Sequence, residues 1–444
     1  MSPPLRFGVF MAPFHPLPHN PTLALEQDLQ VAEALDRLGF DELWVGEHHS
    51  GGLELIASPE VFIAVAAQRT RHLRLGTGVS SLPYHHPFML LDRMVMLDHL
   101  TRGRVMFGCG PGQLPFDAHL LGIDPDQQRR MMEESLEAIM ALQRTTEPVT
   151  RITDWFTLRD AVLQLRPYSQ PHLEMAVAGS FSPAGPRLAG THGIGLLSIS
   201  ATSPEGFDRL AQHWNIAETE AQRHGTAVRR ADWRLLGPMF LADTDAEARA
   251  ALRFGYEQIS DYLTHVLPVP RPPRMSLDER IDAANASGAV VIGTADRAIA
   301  QIERLLAQSG GFGTFLINGG YWGDLDATLR SYEIFANRVI PHFNGQLAAP
   351  TRSFEWTMDD TRDWDGQARR APYRAHSPGS GPKCRRRSDS GRPWARAARW
   401  ARWRGAWRPA GRARSTAVRR RRPERHPSVE PSGCVERAGN RPVR

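Results

Sequence analysis

Gly39-Phe40-Asp41-Glu42-Leu43-Trp44-Val45-Gly46-Glu47-His48-His49 decides how the rest of the chain is read. The glycine stops one helix, Leu43-Trp44-Val45 forms a short apolar strand, and that strand runs straight into an acid and two imidazoles. Ionisable residues at the C-terminal end of a strand are where a barrel of alternating strands and helices places its chemistry. Neighbouring strand residues face opposite sides, so only one of His48 and His49 can face such a mouth.

Working outward, the first strand is Leu5 to Phe10, followed by a helix from Pro21 with Leu25, Leu29, Ala32 and Leu35 on one face. After Val45 come further apolar strands at 73–77, 104–108, 173–178, 195–199, 233–241 and 314–318, each followed by a helical pattern. Strand–helix alternation of this kind predicts an α/β protein, a (β/α)8 TIM barrel over residues 1–345 rather than an open doubly wound sheet. Ser58-Pro59, Asp124-Pro125, Ser182-Pro183 and Ser203-Pro204 read as helix starts whose first side chain caps the free amides, as does Thr294. Two insertions are expected, a hairpin within 149–167 and a Pro-rich stretch, 266–286, read as a mobile lid. Residues 324–339 form the last helix, ending at Pro341, and 346–365 a C-terminal extension.

Charge divides the chain. From Gly366 to Arg444 there are 23 Lys+Arg against 4 Asp+Glu, a net +19, so residues 1–365 carry 31 against 44, a net −13 within the overall +6. An acidic body argues against a nucleic-acid partner for the barrel, since neutralising phosphates requires a basic surface. The segment 366–444 is rich in Arg, Pro, Gly, Ser and Trp with no periodic face, and reads as disordered or non-native, as a reading-frame change would produce. Trp400, Trp403 and Trp407 among arginines offer a cationic interfacial helix instead, opposed by Gly405 and Pro409. No apolar run of transmembrane length, no signal sequence at Met1-Ser2-Pro3-Pro4 and three cysteines without a framework together imply a soluble, cytoplasmic protein away from membranes.

For chemistry, Glu47 either orients an imidazole or sits in an ion pair, and the residues leave both open. Glu47, His48, His49, Glu54, His85 and His86 could in principle ligate a metal. Barrel hydrolases of that kind carry an HxH pair at the end of strand one, where this chain has Phe10-Met11-Ala12-Pro13, so no metal is expected. Gly108-Cys109-Gly110-Pro111-Gly112 fails as a dinucleotide fingerprint because Gln113 stands where the last glycine belongs. Ala178-Gly179-Ser180-Phe181-Ser182-Pro183 leads a strand into a helix N-terminus whose amides could hold a phosphate, with Arg129 supplying charge. Ordinary capping and a surface arginine explain the same residues equally well.

Phe7-Gly8-Val9-Phe10, the Gly39–Trp44 stretch with Glu47-His48-His49, Leu75-Gly76-Thr77-Gly78, Leu82-Pro83 with His86-Pro87, and Leu97-Asp98 with Gly103–Gly108 resemble, in order and spacing, the bacterial luciferase-like flavin monooxygenases. Val79 to Pro87 and Gly108 to Gly112 are similar to the limonene monooxygenase-like branch of that family. The resemblance implies an enzyme that takes FMNH2 from a separate NAD(P)H:flavin reductase, uses O2 as co-substrate through a flavin C4a-hydroperoxide, and forms a homodimer. It implies oxygenation of a small apolar substrate, a terpene-like alkene, a ketone or an aldehyde. By position, His48 is implied as the proton-managing histidine beside the flavin, with Glu47 next to it. Thr77, Gly78 and Val79 correspond to the segment beneath the flavin ring, where the family has a non-prolyl cis peptide. Arg129, Gly179 and Ser180 correspond to the phosphate site. Two positions depart, because a second phosphate arginine of the luciferases is replaced by Pro111 and an acidic residue before the serine by Gly179. The luciferases' reactive cysteine falls at Gly110, so Cys109 receives no role. Phe10, Met11, Leu82 and Phe107 are expected to wall a dry substrate pocket. A sibling reading on the same barrel is an F420-dependent oxidoreductase, and a more distant one a metal-dependent hydrolase.

Overall fold

The computed structural model describes residues 4–12, 14–266 and 275–359. The Pro-rich 268–273 and the basic tail, on which two expectations fall, lie outside those residues. Twelve strands are present: β1 (Arg6–Met11), β2 (Glu42–Val45), β3 (Arg74–Thr77), β4 (Ser80–Ser81), β5 (Val105–Gly110), β6 (Val149–Ile152), β7 (Thr157–Ala161), β8 (Met175–Gly179), β9 (Gly195–Ser198), β10 (Trp233–Leu241), β11 (Val291–Gly293) and β12 (Thr314–Gly319). Hydrogen-bonded neighbours run β1, β2, β3, β5, β8, β9, β10, β12 and back to β1, every pair parallel, which closes an eight-stranded barrel. The expected hairpin is β6–β7, the only antiparallel sheet among the described residues.

Register divides the barrel interior into layers. In β2, Glu42 and Trp44 point inward while Leu43 and Val45 join the outer apolar layer beneath the helices. Trp44, Met106, Ala176, Leu197, Leu236 and Leu316 fill the middle of the barrel, capped toward the mouth by the partly buried Phe10, Val79 and Ile199. So large an indole fits because its neighbouring strands have no side chain there. A Cβ on Gly76 would lie 2.7 Å from the Trp44 ring, and one on Gly108 2.8 Å. Burying the indole removes on the order of 200 Å² from water, worth about 5 kcal/mol.

The helices begin and end as local chemistry dictates, with some corrections. Pro21–Leu38 starts where the Asn20 side chain accepts from the Thr22 and Leu23 amides and stops at Gly39, left-handed at φ 80°. Ser203 and Asp124 cap as expected. Ser58 and Thr294 precede helices without side-chain caps, and the helix after Ser182 has its N-cap at Pro183, also without one. The described part of the stretch read as a lid holds a regular helix, Leu277–Ser287, fixed by a capping box between Ser276 and Glu279. Helical turns also continue past Val339 to Ile340–Phe343, across Pro341. No described helix is long and apolar enough to cross a membrane.

Candidate active site

Beyond Val45, β2 gives way to Gly46, which has no side chain between the Glu54 carboxylate and the Gly78 carbonyl, each 3.8 Å from where its Cβ would stand. The three ionisable residues that follow separate into two groups. Glu47 is fully buried. One carboxylate oxygen lies 3.0 Å from both His49 Nε2 and His85 Nε2, and the other accepts the Ser81 amide at 3.1 Å. Burial pushes its pKa up, but the two imidazoles and the amide outweigh that and hold it below the ordinary carboxylate value. Glu47 therefore ties the end of β2 to the loop carrying β4, and it makes no bond to His48.

His48 belongs to the second group. Its Nδ1 pairs with Asp117 Oδ2 at 3.2 Å, and its Nε2 lies 3.5 Å from the Glu54 carboxylate. Asp117 in turn accepts the His49 amide at 3.1 Å and the Ser50 hydroxyl, so the ring is fixed by a carboxylate that is itself fixed. Burial acts to lower the His48 pKa, yet the Asp117 hydrogen bond and the charges of Glu54, Asp117 and Glu47 together raise it above its usual value. Glu54 is shifted up, chiefly by burial, partly countered by His48. The Tyr262 hydroxyl, buried without a hydrogen-bond partner, stands over Gly51, where a Cβ would lie 2.2 Å from it. Burial and the charges of Glu54 and Asp117 push that phenol up to about 12. Two carboxylates, an imidazole and a phenol thus share one mouth, and the upward shift of Glu54 together with that of His48 brings an acid and a base side by side for proton transfer.

Next to this cluster the Gly78–Val79 peptide is cis. A Cβ on Gly78 would meet the Phe10 ring at 2.8 Å, so backbone and ring form a continuous floor. Thr77 is directed away from it, its hydroxyl donating to the Gly108 carbonyl at 2.8 Å. Across the mouth, Arg129 donates to the Ser182 hydroxyl at 3.4 Å and has no carboxylate partner among the described residues. Ser180 and Ser200 share a 2.7 Å hydrogen bond. Arg209 adds charge to the same turn by donating to the Phe181 carbonyl at 2.8 Å. The structure thus brings Arg129, Gly179 and Ser180 together at the start of the helix Ala184–His192 and adds two hydroxyls and a guanidinium. Arg209 is already paired with Glu205 at 2.7 Å, so Arg129 is the guanidinium of this set without an acid beside it, and with the hydroxyls it fits a phosphate.

The expected apolar wall needs correction. Phe107 and Leu82 are completely buried and Met11 nearly so, all in the outer layer between strands and helices. Strand alternation is the cause: Met106, not Phe107, points into the barrel, and of β1 it is Phe10, not Met11. Of the four, Phe10 alone reaches the mouth. Asp117, Glu54 and Tyr262 were not anticipated as a group with His48. Asp117 sits in the short helix Pro115–Leu120, sixty-nine residues from its partner, with no periodic signal around it. Among the described residues no group of three or more His, Cys, Asp or Glu is arranged to hold a metal ion.

Residues 5–312 match the family model for luciferase-like monooxygenases. The chain belongs to this family. It is 50% identical over 357 residues to limonene 1,2-monooxygenase of Rhodococcus erythropolis, covering 80% of this chain and 91% of that protein. It is 45% identical over 372 residues to 4-hydroxyprotoasukamycin monooxygenase of Streptomyces nodosus subsp. asukaensis, covering 82% and 99%. In fold it is similar to the oxygenating constituent of 3,6-diketocamphane monooxygenase of Pseudomonas putida, solved with FMN, at TM-score 0.65 and 22% identity over 76% of this chain and 98% of that one. The protein is a monooxygenase on a luciferase-like barrel, as its motifs led one to expect.

Proposed function

We propose that the protein is the oxygenase of a two-component flavin system that binds reduced FMN and oxygenates a small apolar substrate, a terpene-like alkene, a ketone or an aldehyde. The observation carrying this reading is His48, held between Asp117 and Glu54 beside the Gly78–Val79 floor. Bound reduced FMN supplies the electrons that activate O2, one oxygen atom entering the substrate and the other leaving as water. The chain's part is to hold and move protons. His48, kept charge-ready by two carboxylates, gives or takes a proton at Nε2, while Asp117 fixes the ring at Nδ1. Arg129, Ser180, Ser182 and Ser200 would receive the phosphate, and Phe10 with Gly78–Val79 would support the ring. A separate NAD(P)H:flavin reductase is assigned the task of reducing the flavin, as the family resemblance implies. The homodimer is assigned to the exposed Val61 and Val65 of helix Pro59–Arg69 with Met89, Met96 and Leu100 of helix Pro87–Thr101. Met96→Arg should turn a dimer into a monomer in sedimentation, and an unchanged mass would dismiss that face.

An anaerobic titration with reduced FMN tests the cofactor. Arg129→Ala should weaken FMN binding roughly tenfold through loss of a charge-assisted bond, and leave riboflavin binding unchanged. With reductase and NADH, oxygen uptake should then depend on substrate. Reduction of F420 without O2 would instead establish the sibling reading.

A further inference from the structure

The mouth has a second compartment. A cavity of about 240 Å³ opens between the helix Tyr256–Val266 and the ends of β10 and β12. Phe14, Tyr256, Ile259, Leu263, Val290 and Trp322 give it apolar walls. Its floor follows from strand parity: Leu236 and Leu316 fill the barrel interior, so Pro238 and Asn318, two residues on, point inward one layer higher. Asn318 is in register with Phe10, whose ring lies against Gly78, so the cavity's floor residue neighbours the Gly78–Val79 floor across β1. The Asn318 carboxamide makes no hydrogen bond among the described residues. The other polar groups on the lining residues are the Tyr256 and Ser260 hydroxyls, the Trp322 indole N–H and the Thr264 hydroxyl, the last already spent on the Ser260 carbonyl at 2.8 Å.

We propose that this cavity is the substrate compartment and that it takes a compact, ring-sized hydrophobic molecule bearing an oxygen that Asn318 engages. Size sets the class. An apolar cavity of about 150 Å³ accommodates benzene, so about 240 Å³ accommodates roughly ten non-hydrogen atoms. A polyketide-sized substrate would extend out of it into the mouth. An unpaired carboxamide facing a mainly apolar chamber favours a ligand that supplies its partner over a pure hydrocarbon. The inference rests on the oxygenase reading for its chemistry, but binding can be measured without turnover.

Calorimetric titration of the full-length protein with camphor, bornane and progesterone tests it. Camphor should bind, bornane five- to tenfold more weakly, and progesterone not at all. Asn318→Leu should abolish the preference for camphor over bornane while retaining bornane affinity. Leu263→Trp, filling the cavity from a half-buried position on the covering helix, should weaken camphor binding more than tenfold while reduced FMN still binds. Progesterone binding as tightly as camphor, or camphor affinity unchanged in Leu263→Trp, overturns the cavity assignment. Equal affinity for camphor and bornane in the parent protein overturns the role of Asn318. Failure of the parent protein to bind reduced FMN would overturn the oxygenase reading alone and leave these binding results standing.

Discussion

The two ends of the barrel each bury carboxylates from the same short strand region, and they treat them in opposite ways. At the closed end, Glu42 opens β2. It receives Arg234 at 2.8 and 3.1 Å, the Trp44 indole N–H at 2.9 Å, and Arg6 and Arg74 at 3.5 and 3.7 Å. Arg234 also meets Glu174 at 2.6 Å and lies 4.9 Å from the centre of the Trp44 ring. Burial favours the neutral acid, but this many guanidinium charges hold Glu42 down to about 2. Every polar atom there is committed. At the open end, Glu54 is shifted up, His48 keeps one nitrogen 3.5 Å from its acid, and the Tyr262 hydroxyl has no partner. Charge that is fully matched holds a fold together, and charge left incompletely matched is available to a reactant.

Breaking the matched end should therefore cost stability and not chemistry. Arg234→Met removes one side of a fully buried pair and strands Glu42, so unfolding free energy should fall by about 3–5 kcal/mol in denaturant titration. Adding Glu42→Leu should restore most of the loss, since an apolar pair of similar volume replaces the ions. A single substitution without effect would mean that Arg6 and Arg74 suffice to neutralise Glu42.

The same contrast explains what the sequence made legible. The eight barrel strands stood out because a parallel strand buried on both faces is a continuous apolar run between turn residues. That same continuity hides parity, which is why Phe107 and Met11 were placed at the mouth and proved to face the helices. β11 was invisible: its three residues pair only with Met239 to Leu241, where β10 runs on beyond the barrel. His48 and Glu47 could be singled out because they end a strand. Their division of labour could not, because Asp117, Glu54 and Tyr262 reach His48 across loops and a distant helix whose local patterns carry no trace of it.

At the open end the expected loss is catalytic. His48→Ala should reduce turnover at least a hundredfold, the lower range for removing an acid–base group, with reduced FMN affinity and unfolding midpoint close to those of the parent protein. Turnover that survives intact would transfer the proton-handling role to Tyr262 or Glu54, the remaining unmatched groups beside it.

The smallest effect is a change in pH dependence. Asp117 raises the His48 pKa despite burial, so Asp117→Asn should move the His48 resonances, followed by NMR, to titrate at lower pH than in the parent protein. The sign carries over to stability. A histidine whose folded pKa lies above its unfolded value of about 6.5 contributes stability that is complete below 6.5 and fades as pH rises through the folded pKa. The stability gap between parent and Asp117→Asn should therefore be widest in mild acid and narrow toward alkaline pH. A gap that instead widens with pH would mean that Asp117 serves mainly as the acceptor for Ser50 and the His49 amide, with the imidazole a passive neighbour.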